Sequence, residues 1–373
     1  YRNSSYRELG SRIYPRLYQA ILSWQKPELQ MTDRATLKLS LFILAVVCSS
    51  AALSTLPKER LPREIFDVEE PSARVAGLPG NMSYLRKDCR AIYPANLRER
   101  IVHTAVQEWA YFGFKIYDLT HTRDDNPNYK QQPWVRPAID PVEAARVADS
   151  IAGYWSSTPN SGWILERQNQ YWNVRGPGSR WRDPWSAAFI SWIMCESGII
   201  EPHRFQRAVA HHTYIDQAII TRDKQDSPGL FAAFDIGEER IEPGDLLCRG
   251  SRPEYESIKA RRLQIGVGAR SHCDIVVKLD EENKRIMVIG GNVRAWVRLK
   301  LLPADHTVDG VMIPAPYNGR RIFAHLKLQA GEVSNQVFDA SPSLLELACD
   351  TSILDLSGII TMDSSSCLKQ VAD

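Results

Sequence analysis

The chain has 373 residues, a formal net charge of +2 and 24 % charged residues. That length is ample for one large core and could hold two domains. The near-neutral balance, without a dominant basic block, argues against the clustered Lys and Arg footprint of a nucleic-acid-binding protein. The cysteines at 48, 89, 195, 248, 273, 349 and 367 include no C-x-x-C pair. A tetrahedral thiolate zinc site is therefore not expected, and no metal or other cofactor is assigned.

Residues 1–30 are mixed in character and form an upstream segment without recognisable chemistry. Met31 precedes a small charged region (Asp33, Arg34, Lys38), the apolar run 39–48 and the small residues 49–52. Segment 31–54 reads as a secretory signal peptide with processing near Ala52, which predicts export to the periplasm or cell envelope. Two other readings stand beside it. One is an uncleaved anchor giving membrane attachment through the 39–48 run, although that run is short for a bilayer span. The other is a buried helix in a cytoplasmic protein. Loss of Cys48 with a signal would leave six cysteines, which permits disulfides without fixing any.

Residues 55–96 carry Pro57, Pro62, Pro71, Pro79 and Pro94 and read as a linker-like arm. Residues 97–112 give the first amphipathic helix, with Ile101, Ala105, Trp109 and Phe112 on one face and Gly113 after it. Glu108 is expected at the surface or near a cleft. The polar stretch 114–141 reads as a long loop without the ligand pattern of an EF-hand. Residues 141–155 form a second helix that begins on a proline.

The chain then reaches Pro184-Trp185-Ser186-Ala187-Ala188-Phe189, followed by apolar residues up to Met194 and a glycine stop at Gly198. A serine before an apolar helical run is ordinarily an N-cap. Residues 205–219 are helical in pattern, and His211, Tyr214 and Ala218 share a face while His212 points elsewhere. Pro243-Gly244-Asp245-Leu246 marks a turn into a strand, with Asp245 as a turn acceptor. Strands follow at 275–279, 285–289 and 293–299, a helices-then-meander order that indicates an α+β domain. Residues 316–373 read as a C-terminal extension.

The Pro184–Phe189 motif resembles the start of the nucleophile helix in the DUF2272 family, itself similar to the NlpC/P60 and CHAP papain-like superfamily. Ser271-His272-Cys273-Asp274 resembles the strand bearing the catalytic histidine, and Gly290-Gly291-Asn292 the strand bearing the group that orients it. The resemblance implies a papain-like NlpC/P60-type fold over 97–315, with N-terminal helices followed by an antiparallel β-meander. It implies Ser186 as nucleophile in place of the usual cysteine, His272 as base and Asn292 as orienter. Trp185, His211, His212 and Asp274 are cleft candidates. Asp274 could also orient the histidine, but residues two apart on a strand share a face, which favours a partner on the adjoining strand. Cys195 and Cys273 are expected as buried small apolar groups.

The function so implied is an exported cell-wall hydrolase cutting an amide bond in peptidoglycan. The alternatives are a catalytically inactive module that binds peptidoglycan or a peptide-like ligand through Trp155, Trp163, Trp172 or Trp185, and an esterase or small acyl-conjugate hydrolase.

Overall fold

A computed structural model describes residues 59–121, 139–224, 226–250 and 255–347. All of these lie in one compact unit, Thr55–Asp373. The upstream segment, the signal-like run 31–54 and the 39–48 stretch fall outside the described residues. Among those described, no helix is long and apolar enough to cross a membrane, so the expected attachment through 39–48 is withdrawn.

The arm is part of the domain, not a linker. It forms a 3-10 turn at Pro71–Arg74 and a two-stranded antiparallel sheet of β1 (Val75–Ala76) and β2 (Ser83–Tyr84). Leu61, Phe66, Val68, Val75 and Met82 are buried in the main core. Helix α1 (Leu97–Tyr111) is capped by the Asn96 side chain, which accepts from the Glu99 N–H. Glu108, expected at the surface or near a cleft, is fully buried. Arg60 from the arm clasps both its carboxylate oxygens, at 2.6 and 2.8 Å, and the Tyr154 hydroxyl donates to it. Burial of a carboxylate at this position is tolerable because a bidentate guanidinium arrives with it.

Next come β3 (Ile116–Asp118), α2 (Pro141–Arg146), α3 (Ala148–Ser156) and α4 (Gly162–Arg175). The helix expected over 141–155 is broken at Val147, with Asp140 capping its first half through the Val142 and Glu143 N–H groups. Helix α5 (Ser186–Glu196) is buried on every side, and its predicted glycine stop is present. Gly198 has φ +86°, Gly198 N–H donates to Cys195 O, and Ile199 N–H donates to Met194 O. This is the paired closure of a Schellman motif. Helix α6 (His211–Asp223) starts later than its apolar pattern suggested.

The remaining elements are β4 (Phe231–Phe234), β5 (Leu246–Gly250), α7 (Ile258–Arg262), β6 (Ser271–Asp280), β7 (Arg285–Val293), β8 (Trp296–His306), β9 (Met312–Pro314), β10 (Ile322–Leu328) and α8 (Pro342–Leu347). The large sheet runs β3-β8-β7-β6-β5-β10-β4, with β9 paired to β8. The central β5–β8 run is the expected antiparallel meander, but the sheet as a whole is mixed, because β3 joins β8 in parallel. The α+β class therefore holds and the purely antiparallel description does not. Residue 315 is not a boundary either, since β10 pairs with β5 on one side and β4 on the other.

Two apolar layers flank the sheet. The larger holds α1, α3 and α5 together with Cys273, Ile275, Val277, Met287 and Ile289. The smaller holds Leu247, Val276, Ile286, Val288 and Leu302, the alternate positions on the same strands. Helix α5 approaches β7 so closely that a Cβ at Gly291 would lie 2.5 Å from Phe189 Cβ. Gly291→Ala is expected to cost about 1–3 kcal/mol through overpacking. Gly268→Ala, which meets open space, is expected to change stability by less than about 0.5 kcal/mol. Urea unfolding midpoints of the two variants check the contrast.

Candidate active site

Ser186 is the first residue of α5, and Trp185 holds the cap position without a side-chain cap bond. The Ser186 hydroxyl does not serve the helix. It lies 2.6 Å from His211 Nε2, and both side chains are buried. The N–H groups of a first helical turn lack intrahelical acceptors, so the hydroxyl sits beside partial positive charge.

His211 is the first residue of α6, and Tyr214, one turn later, directs its hydroxyl to His211 Nδ1. The backbone N–H of Cys273 also points at Nδ1, at 3.3 Å. A backbone N–H can only donate, so Nδ1 is the acceptor of this ring, and in neutral imidazole the proton then resides on Nε2. In this state Nε2–H donates to Ser186 Oγ. Burial, and next the neighbouring His272, hold the His211 pKa well below its ordinary value, so the ring is neutral. Burial likewise raises Tyr214 well above the usual phenol range, with Asp274 adding to the effect.

His272 stands beside this group, its ring centroid 5.3 Å from that of His211 in an edge-on arrangement. Its orienter is Asp274, not Asn292. His272 Nε2 lies 2.9 Å from Asp274 Oδ1, and the Lys300 ammonium donates to Oδ2. The alternation that puts residues two apart on one face brings this pair together. Burial opposes ionisation of Asp274, but His272 and Lys300 outweigh it and hold the carboxyl far below the usual carboxylate range. For His272 burial is the largest influence and lowers the pKa, with Asp274 pulling partly back. The ring is thus neutral, donates through Nε2, and keeps its lone pair on Nδ1.

The glycine pair shapes this floor. A Cβ at Gly290 would fall 1.9 Å from Asp274 Oδ1, so only glycine leaves room for the carboxylate. Asn292, expected to orient the histidine, occupies the irregular end of β7 with φ +56°. None of the side-chain hydrogen bonds among the described residues joins it to His211 or His272. Trp185 is buried between Phe112 and Tyr154, which removes it as a stacking surface for ligand. Trp155 and Trp172 are buried too, whereas Trp163 is exposed. His212 is half-buried and takes no part in the Ser186 group.

Cys273 is not a lone apolar residue. It pairs across β5 and β6 with Cys248 in a disulfide, and Cys195 pairs with Cys89 of the arm. Among the described residues, no group of three or more His, Cys, Asp or Glu side chains is placed to hold a metal ion. Sequence reading missed Lys300 because a lysine on a strand signals a solvated position, and here it is buried. Tyr214 was within reach through its i, i+3 spacing from His211.

This is a helix-borne serine in contact with a buried histidine, beside a second histidine fixed by a buried carboxylate, on an α+β frame. Residues 144–324 match the model of the family described as "Uncharacterized protein conserved in bacteria (DUF2272)". The match contains Ser186, His211, His272, Asp274 and Lys300. No curated protein and no solved structure matches the chain.

The neutral histidines give a sign for the pH dependence of stability. Burial also lowers His103, so His103, His211 and His272 all have folded pKa values below their ordinary one. Below about pH 6.5 the unfolded chain binds protons that the folded chain refuses, so stability is present above that pH and falls on acidification. Each such histidine contributes a slope of up to about 1.4 kcal/mol per pH unit. Urea midpoints measured between about pH 7.5 and 5.5 are expected to fall, and to fall less steeply in His211→Gln.

Proposed function

We propose that the protein is a serine-dependent hydrolase of acyl bonds, acting on an amide bond in peptidoglycan. The observation that carries this reading is the 2.6 Å contact between Ser186 Oγ and His211 Nε2 at the first turn of α5. An acyl-transfer site needs a hydroxyl, an imidazole in contact with it, and donors for the developing oxyanion. Ser186, His211 and the first N–H groups of α5 supply these three in one place.

In the proposed step, Ser186 Oγ bonds to the carbonyl carbon as its proton passes to His211 Nε2. That nitrogen must first carry a lone pair, so the ring exchanges its Nε2 proton for one on Nδ1, and the new Nδ1–H donates to the Tyr214 oxygen, which can accept as readily as it donates. The Cys273 N–H then loses its acceptor, at a cost of about 1–3 kcal/mol. The amine leaves with the proton from Nε2, and water resolves the acyl-serine by the same route. His272, fixed by Asp274 and neutral, is a positioning residue packed against His211 in this scheme. Export to the periplasm or cell envelope is part of the proposal. The two disulfides support it, because such bonds persist in oxidising compartments.

A second reading has its own support. The Cys273 N–H favours the tautomer in which His211 donates to Ser186, and a hydroxyl held as acceptor suits a module that binds a peptide-like ligand without turnover. Incubation of the purified chain with peptidoglycan, followed by mass spectrometry of released fragments, separates the two. New termini that disappear in both Ser186→Ala and His211→Ala, with a rate loss of at least about 10²-fold, are the expected result. Ligand retention by all three proteins without fragments would establish the binding module. Release of an ester or small acyl conjugate with intact wall would move the substrate to that class.

A further inference from the structure

The Ser186 group has a cationic border that the chemistry above leaves unused. Arg249 on β5 is the direct cross-strand partner of His272 on β6. Directly opposed residues project to the same face with Cβ atoms about 4.5–5.5 Å apart, so Arg249 flanks the His272 ring. On its other side Arg249 is paired with Ile322 of β10. Arg320 lies two residues before that partner, held by a bridge to Tyr317.

Neither guanidinium has a hydrogen bond or an ion pair to a carboxylate among the described residues. The contrast with the rest of the chain is informative. Arg60, Arg98 and Arg261 each hold a buried carboxylate at 2.7 Å or less. Asp274, two residues along β6 from the residue opposite Arg249, is already engaged by His272 and Lys300. Arg320 is exposed, Arg249 half-buried and His272 partly open to solvent, so the border is accessible.

We propose that Arg249 and Arg320 form a subsite for a carboxylate group on the molecule that binds beside Ser186. The two like charges also sense each other. After burial, Arg249 is the next influence lowering Arg320, and it contributes to the lowering of both site histidines. An arriving carboxylate relieves this repulsion and meets a planar donor fork suited to bidentate contact. The ligand class is an acyl compound or peptide with a free carboxylate close to the bond or group that Ser186 faces. This assignment rests on the Ser186 region being a ligand cleft and is independent of turnover.

The test is equilibrium binding to the full chain carrying Ser186→Ala, so that no probe is consumed. The probes are N-acetyl-alanyl-alanine, its C-terminal amide and inorganic phosphate, followed by the His272 ring signals in NMR titration. The acid is expected to bind at least about tenfold more tightly than the amide. Arg249→Gln and Arg320→Gln should each reduce that preference to less than about threefold, while Arg249→Lys keeps part of it. Unchanged thermal midpoints in the variants exclude misfolding as the cause. Equal binding of acid and amide, no binding of either, or a preference intact in both Gln variants would overturn the subsite. Phosphate competing as strongly as the acid would overturn the carboxylate assignment. Absence of wall hydrolysis in the wild-type chain would leave these binding outcomes unaffected, so the two proposals fail separately.

Discussion

The Asp274 carboxylate is fully buried and ionised, and much of the site follows from that condition. A carboxylate removed from water is tolerated only with charged and hydrogen-bonding partners in contact. Three features of the meander meet this need. The next-but-one strand contributes Lys300, the preceding residue on the same face of β6 contributes His272, and β7 contributes Gly290, whose missing side chain is the space the carboxylate occupies. With the ring of His272 fixed in this way, His211 has a defined surface to pack on, and Ser186 has a defined partner. The chain of contacts runs from a buried charge on the sheet to a hydroxyl at the start of a helix.

The second requirement is close approach between layers. Helix α5 can reach the sheet because β7 offers Gly291 under Phe189, and its far end turns sharply because Gly198 takes a left-handed conformation. The arm closes over the same helix. Cys89 is bonded to Cys195 at the end of α5, and Arg90 reaches the buried Glu196 at 3.0 Å. A helix that carries Ser186 at its first residue is thereby anchored in its last turn by covalent and ionic contacts. Restraint at one end limits how far the Ser186 end can drift from His211.

Helices α1 and α5 and the antiparallel meander were legible because their apolar periodicities are strong and both helices run into a glycine, whereas the α4 stretch lacks such a periodicity. The α5 stretch was readable as the centre of the domain for the same reason. What periodicity does not encode is which polar groups meet. His211 looked like a cleft histidine of no fixed role, and His272 took the base position by resemblance. In three dimensions His211 touches Ser186, while His272 spends its Nε2–H on Asp274. Asn292 was misread because the resemblance implied a side-chain role, whereas its φ of +56° identifies it with a backbone irregularity. The arm was misread because five prolines signal breaks in regular structure, and breaks are compatible with dense packing when Leu61, Phe66 and Val68 reach the core. The β10 strand was lost because the 316–321 segment before it is polar, and β3 because three residues carry no periodicity.

Two neutral histidines side by side are a consequence of burial as much as of function, and they decide what a serine can do here. A cysteine at residue 186 could ionise against a neighbouring imidazole before substrate arrives. A serine cannot, since its proton must leave during attack. The neutral state of His211 is therefore compatible with serine chemistry, which needs a lone pair on the base and not a stored ion pair. The same burial would penalise the imidazolium formed as Ser186 loses its proton. Asp274 lies one histidine away, and its field is the compensating influence, raising the proton affinity of both rings against the pull of burial. The carboxylate that builds the floor of the site is thus also the charge against which any proton transfer from Ser186 is balanced.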